Sequence, residues 1–258
     1  TARFSFFSKL YGFFQKTSIS RYKVIPFIKK FNIDTSEFLE LVSSFSCFND
    51  FFIRRLKPEA RPIAQEENKA ILPTDARYLV FSDVREVSHF FVKGKKFSLK
   101  ELLKNEELAN KYQAGSMVIA RLCPVDYHRF HFPCRATPGQ SQLINGALFS
   151  VNPVALKRNI KILSENKRVI TTLTTSHFGN LLYIEIGATH VGSIHQTFQA
   201  HKMYEKGDEK GYFSFGGSCL ILLFEPNRIR FDQDLLESSA RSQEVRGLMG
   251  QSLGSSIH

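Results

Sequence analysis

The chain has no tryptophan and only three methionines among its 258 residues, and its four cysteines show no pairing pattern. Cys47, Cys123, Cys134 and Cys219 are scattered, which excludes a disulfide-stapled scaffold and suits a reducing compartment. No cleavable secretory signal is read at the start. No apolar run approaches the ~20 residues a membrane-spanning helix needs, so the chain is expected not to cross a bilayer. Internal repeats and low-complexity linkers are also missing, which argues against a solenoid or an array. No acid occurs before Asp34.

What is present is a large apolar fraction, 43% of residues, and a formal net charge of +11. A sizeable core can form, within one large domain or one domain with an appendage. The aromatic content is almost all phenylalanine (25 Phe against 8 Tyr), a composition for burial or lipid contact. The positive field suits nucleic acid, anionic lipid or an acidic substrate, and does not choose among them.

The charge is concentrated at the start, where residues 1–33 carry seven Lys or Arg and seven Phe. At about 100° per residue, Phe4, Phe6, Phe7, Leu10, Tyr11, Phe13 and Phe14 share one half of a helix. Ser5, Ser8, Lys9, Gly12, Gln15 and Lys16 take the other half, and only Arg3 breaks the pattern. A helix packed on its own domain is the ordinary account. The density of Phe and the missing acids favour instead a helix in a membrane interface, where each basic side chain contributes roughly 1 kcal/mol. A nucleic-acid arm carries fewer bulky apolar residues. The expectation is an anionic membrane surface as partner, and no nucleic acid.

From Asp34, with Glu37 three residues on, the pattern predicts a capped helix running toward "CFNDFFIRRLKPEARPI", where Pro58 and Pro62 close the helical part. Beyond it, alternating runs at 78–81, 90–97, 170–175 and 181–186 read as strands. One helix, capped by Ser98, is expected from 98 to about 112. The fold class is thus α+β: helices over residues 1–58, then a β-rich, mainly antiparallel, sandwich- or barrel-like catalytic body over 59–258.

Two stretches hold most of the chemistry. "YFSFGGSCLILLF", residues 212–224, reads as a buried strand interrupted by Gly216 and Gly217 just before the hydroxyl of Ser218. Glycines there fit a bulge or a close backbone approach. "RLCPVDYHRFHFPC", residues 121–134, admits three readings. Its two histidines are satisfied core or edge residues; or Cys123, His128, His131 and Cys134 bind zinc, as in a metal-dependent hydrolase; or the histidines do separate jobs. The zinc spacing is poor, and in an extended segment residues 128 and 131 point to opposite faces. For the third reading Ser218 is the candidate nucleophile and Asp75, in "LPTDARYL", the candidate carboxylate, so that Asp75, His131 and Ser218 follow triad logic.

In order along the chain, "FNDFFIRRLKPEARPI", "LCPVDYHRFHFP", "LFSVNP", "GATHVGSI", "KGDEKGYFSFGGS" and "MGQSLG" resemble the successive motifs of phosphatidylserine decarboxylases. The nearest type is the compact bacterial one with a Gly-Gly-Ser processing site. The resemblance implies that the chain cuts itself between Gly217 and Ser218 through an N-to-O acyl shift, with Asp75, His131 and Ser218 as the processing triad. Chains 1–217 and 218–258 then stay together, and Ser218 becomes a covalent pyruvoyl group. That group forms a Schiff base with phosphatidylserine and releases CO2, yielding phosphatidylethanolamine. His128 is implied in the decarboxylation itself. A peripheral location at the cytoplasmic face of the cell membrane follows, and a homodimer is left open.

The chain departs from the family pattern at Ala76-Arg77 after Asp75, at Cys219 and at His190. His89, His177, His195 and His201 read as surface or edge residues. Asn166-Lys167-Arg168 reads as a solvated turn, with lipid phosphate binding as the alternative. Gly187 and Gly192 in "GATHVGSI" are expected to let backbone approach the reaction centre.

Overall fold

The computed structural model describes residues 12–87, 97–189 and 193–257. The expected helix over residues 4–16 falls mostly outside them, as do the strand at 90–97 for all but its last residue, His89, His190 and Gly192.

The body is an eight-stranded sheet with two three-stranded sheets packed beside it. The strands in chain order are β1 (Lys69–Ile71), β2 (Ala76–Phe81), β3 (Ser116–Leu122), β4 (Arg129–His131), β5 (Ala136–Pro138), β6 (Gln142–Ile144) and β7 (Arg168–Thr175). They continue as β8 (Asn180–Gly187), β9 (Ile194–Gln196), β10 (Glu209–Phe213), β11 (Ser218–Phe224), β12 (Ile229–Phe231), β13 (Val245–Gly247) and β14 (Ser252–Ser256). The large sheet runs β13-β2-β3-β11-β8-β7-β5, with β6 also on β7; the small ones are β4-β10-β9 and β1-β14-β12. The strand pairs are antiparallel. The large sheet stays open at β13 and β5, so the expected α+β class holds as a layered body rather than a closed barrel.

β11 explains why the sequence reads "CLILLF" without alternation. It lies between β3 and β8, and both of its faces are covered. Leu220, Leu222 and Phe224 join one core with Phe130, Phe132 and Phe213 of the β4-β10 layer, while Cys219, Ile221 and Leu223 join a second core on the other face. A strand buried on both sides becomes a continuous apolar run. The apparent single strand at 212–224 is in fact two: β10 ends at Phe213 in a small sheet, and β11 starts at Ser218 in the large one.

The N-terminal part is less helical than the pattern predicts. Asp34 does cap, accepting from Ser36 N–H at 2.9 Å, but only a single 3-10 turn, Thr35–Glu37, follows. Glu37 turns instead to Arg61. A helix at Val24–Phe31 and another at Phe48–Phe52 carry a cluster built from Val24, Phe38, Phe45, Phe48, Phe51 and Phe52. The helix capped by Ser98 is two helices, Leu99–Leu103 and Glu106–Tyr112. Lys104 turns left-handed between them at φ 51°, and Asn105 caps the second.

Candidate active site

Residues 214–217 cross from the small sheet to the large one. Gly216 sits at φ 142°, a conformation that side chains avoid, so the glycine is required there. Gly217 is less constrained: a Cβ on it meets Ala188 Cβ at 3.5 Å, an ordinary contact. Ser218 opens β11 between Leu122 of β3 and Gly187 of β8. The carbonyl of Gly217 accepts from Ala188 N–H, and the N–H of Gly217 donates to Thr189 O, both at 3.1 Å. Gly217 is therefore held at both its N–H and its C=O by the backbone of Ala188 and Thr189, next to Gly187, which lies opposite Ser218. A charge developing on the Gly217 oxygen already has one preorganised donor. Ser218 Oγ is fully buried and, among the described residues, has no hydrogen-bond partner. Such a group costs stability unless something uses it.

By strand alternation the Ser218 side chain shares the face of Leu220, the face covered by β4 and β10. The loop that carries His128 springs from Leu122, the residue opposite Ser218. Asp126 folds this loop by accepting from Cys123 N–H at 2.7 Å, and Arg77 stands 3.5 Å from its carboxylate. The departure at Arg77 thus holds the loop beside the site. The fully buried His128 donates from Nδ1 to the carbonyl of Asp126 at 2.8 Å, because a carbonyl can only accept. Its ring lies on Phe52 with centroids 3.8 Å apart, and Nε2 has no partner among the described residues. Burial pushes the imidazole down to about 3; the bond to Asp126 opposes this and the positive charge of Arg54 adds to it.

His131, the last residue of β4, has partners of its own. Its Nδ1 donates to Gly207 O at 2.8 Å, so Nε2 is the acceptor and takes the Tyr127 hydroxyl at 3.1 Å. Burial lowers its basicity; the bond to Gly207 and the charges of Glu209 and Asp75 oppose that. The segment carrying Asp75 runs alongside β4, with His131 N–H donating to Pro73 O at 2.8 Å. The Asp75 carboxylate accepts from Arg61 (Nε at 2.9 Å, Nη2 at 2.6 Å) and from Met249 N–H at 2.9 Å. Burial works against the Arg61 charge, but its bonds to Asp75 and Glu37 prevail and hold it raised. Asp75 and His131 are thus brought close without a mutual hydrogen bond, and neither ring nitrogen of His131 meets Ser218.

The four zinc candidates do not gather. Cys134 is buried, its thiol pushed up to about 12 by burial, and Cys123 accepts from Arg121 Nη1. Among the described residues no group of three or more His, Cys, Asp or Glu is arranged to hold a metal ion. Asn166 and Arg168 are not in a solvated turn. Arg168 spends its guanidinium on the carbonyls of Glu101, Leu102 and Asn166, and Asn166 Nδ2 donates to Gly187 O at 2.9 Å, steadying the residue opposite Ser218.

Sequence reasoning missed Arg61, Asn49 and Ala188. The signal for Arg61 and Asn49 lay inside "FNDFFIRRLKPEARPI", read as a helix with its stop and as a family motif, with no role given to either residue. Asn49 Oδ1 accepts from Phe215 N–H at 2.9 Å, tying that helix to the Gly216-Gly217 crossing.

The chain matches the family model described as phosphatidylserine decarboxylase over residues 48–255. It is 54% identical over 250 residues to the phosphatidylserine decarboxylase proenzyme of Chlamydia pneumoniae, covering 97% of this chain and 83% of that protein. Against the protein of the same name from Chlamydia caviae it is 52% identical over 256 residues, covering 99% and 86%.

Proposed function

The chain belongs to the phosphatidylserine decarboxylase family, and from that premise we propose that it cuts itself at Gly217–Ser218 and then decarboxylates phosphatidylserine at residue 218. One observation carries the reading: a buried hydroxyl, partnerless among the described residues, follows the Gly217 carbonyl held by Ala188 N–H, and the preceding Gly216 has a φ that only glycine adopts readily. Ser218 Oγ attacks the Gly217 carbon, the amide C–N bond breaks, and the serine amine is freed as the ester forms. His131 takes the hydroxyl proton on Nε2 once Tyr127 releases it, and passes it to the departing Ser218 nitrogen. Asp75, tethered by Arg61, supports the resulting imidazolium through its charge. Elimination of the ester then removes the Ser218 Cα hydrogen and releases 1–217 as a carboxylate. Hydrolysis of the remaining enamine loses ammonia and leaves a pyruvoyl group on 218.

Such a group fits: it replaces a hydroxyl that has no hydrogen bond to give up. It would supply the carbonyl that condenses with the substrate amine and draws in the electron pair as CO2 leaves. His128, neutral with Nε2 open among the described residues, stands at the site to position the substrate carboxylate or to deliver a proton to the carbon that lost CO2. The two pieces stay together because β11 is paired along its length with β3 and β8.

The outer surface of the N-terminal segment, over its described residues 12–58, is the docking face for an anionic membrane. Phe13, Ile19, Tyr22 and Ile25 are exposed there beside Lys16, Arg21, Lys29 and Lys30. Among the described residues no helix is long and apolar enough to cross a membrane. Intact mass on a denatured sample tests the cut: fragments of 217 and 41 residues are expected, the smaller with a blocked N-terminus. Ser218→Ala should stay whole and inert toward phosphatidylserine. His128→Ala should cleave but fail to release CO2; full decarboxylation by that variant would sink its role.

A further inference from the structure

Two cavities differ in what their polar groups are doing. The larger, of 330 Å³, is lined by Cys134, Arg135, Phe178, Glu205 and Lys206. Its cations are engaged: Arg135 pairs with Glu205 at 3.2 Å, and Lys206 Nζ donates to Glu66 O at 2.6 Å. The smaller, of 260 Å³, is lined in part by Lys16, Asn49, Asp50, His195, Tyr212 and Ser214. Here donors are unspent. Among the described residues Lys16 Nζ has no hydrogen bond or ion pair, and Asn49 uses Oδ1 on Phe215 N–H while its amide NH2 has no partner. His195 stacks on Tyr212 with centroids 4.7 Å apart, and its Nε2 lies 3.1 Å from Ser214 Oγ.

This cavity adjoins the reaction centre. Ser214 precedes Ser218 by four residues, so their Cα atoms are at most ~13 Å apart, and the bend at Phe215 and Gly216 shortens that. Asn49 spans the two, meeting the cavity on one side and the crossing loop on the other. Asn49 N–H also donates to Gln15 O at 2.9 Å, which fixes the chain next to Lys16 at the mouth. The carboxylate in the lining, Asp50, accepts from Ser46 N–H at 2.9 Å and Ser46 Oγ at 3.2 Å.

We propose that this cavity holds the phosphodiester of the phosphatidylserine headgroup, with Lys16, Asn49 and the His195–Ser214 pair as its donors. The assignment rests on the decarboxylase reading, and it gives His195, which the sequence leaves as an edge residue, a binding role. The phosphate and amine of the headgroup are separated by one serine side chain, so this assignment requires the cavity and residue 218 to lie within that span. Lys16 belongs to the docking segment, so the site forms where lipid is presented.

The test uses the self-cleaved enzyme and soluble dihexanoyl phosphatidylserine, with wild type, Lys16→Gln, His195→Ala and His195→Gln. In the variants KM should rise about tenfold, the loss of one hydrogen bond to a charged group, with kcat within a factor of about two. Glycerophosphoserine should inhibit wild type, and its inhibition constant should rise in step. Unchanged KM and inhibition constants in Lys16→Gln, an exposed position that does not threaten folding, overturn the assignment. So does inorganic phosphate competing as well as glycerophosphoserine, which marks a plain anion site. A wild-type chain that stays whole, or is cut but releases no CO2, strikes the decarboxylase reading instead and takes this assignment with it.

Discussion

The Phe-rich N-terminal cluster and the β body are ordered by different physics. In the body, backbone ladders on both sides of β11 do the positioning, and side chains fill two faces. In the cluster, short helices and turns leave few ladders, and rings hold it: Phe51 meets Phe27, Phe38, Phe45 and Phe48 at centroid distances of 5.6 to 6.1 Å. Each such pair adds about 0.5–1.5 kcal/mol beyond its buried area. The candidate site lies where the two meet. Phe52 covers His128, Phe48 and Phe52 cover Phe215, Asn49 holds Phe215 N–H, and Arg61 bridges Glu37 to Asp75. The rigid sheet fixes Ser218, and the aromatic cluster closes water away from it.

Breaking the seam at Arg61 should have the largest effect. Arg61→Ala strands the buried Asp75 carboxylate, and removal of one partner from a buried pair costs about 3–5 kcal/mol. A urea midpoint on the uncut Ser218→Ala background measures it, and self-cleavage in the Ser218 background should fall sharply. A smaller effect is expected at the crossing. Gly216→Ala forces a side chain into an avoided conformation at a cost of about 1–3 kcal/mol and should slow cleavage, whereas Gly217→Ala should be milder because its Cβ has room. Equal impairment of both would mean that the cut depends on Gly217 freedom instead.

Acid supplies a comparison of similar size. His128 is held neutral with its ionisation pushed from 6.5 to about 3, so between those values the unfolded chain binds a proton that the folded chain refuses. Stability contributed by neutral His128 is therefore present above pH 6.5 and lost as pH falls. From pH 7 to pH 5 the loss is about 2 kcal/mol. His128→Gln in the uncut Ser218→Ala chain should flatten the urea midpoint against pH by that amount. His131, also lowered, adds a loss of the same sign.

These partners show what the sequence could carry. The apolar run of β11, the glycines before Ser218 and the approach of Gly187 were legible because each is a local demand of backbone or burial. The helix from Asp34 was misread because Glu37, the other half of its capping box, pairs with Arg61, a tertiary contact no local pattern encodes. The break at Lys104 was readable in principle from Asn105, which begins a second cap. That Asp75 faces Arg61 and His131 faces Tyr127 is visible only once β2, β4 and the segment after Pro58 are packed together.

The two faces of the N-terminal cluster give the smallest expected change in stability and the cleanest separation of roles. Ile19, Tyr22 and Ile25 project outward and are more than half exposed, while Val24, Phe51 and Phe52 are nearly fully buried. Replacing the outer three with serine removes apolar area that the fold does not bury, so stability should stay within about 0.5 kcal/mol of the parent per site. Cleavage at Gly217–Ser218, which the inner face supports, should be unchanged. Binding to vesicles containing phosphatidylserine should fall, because the exposed side chains lose their apolar contact with the acyl boundary. The remaining basic residues should then make what binding persists more sensitive to salt. Retained binding at high ionic strength would place the docking face elsewhere, and loss of cleavage would mean that the outer residues order the seam as well.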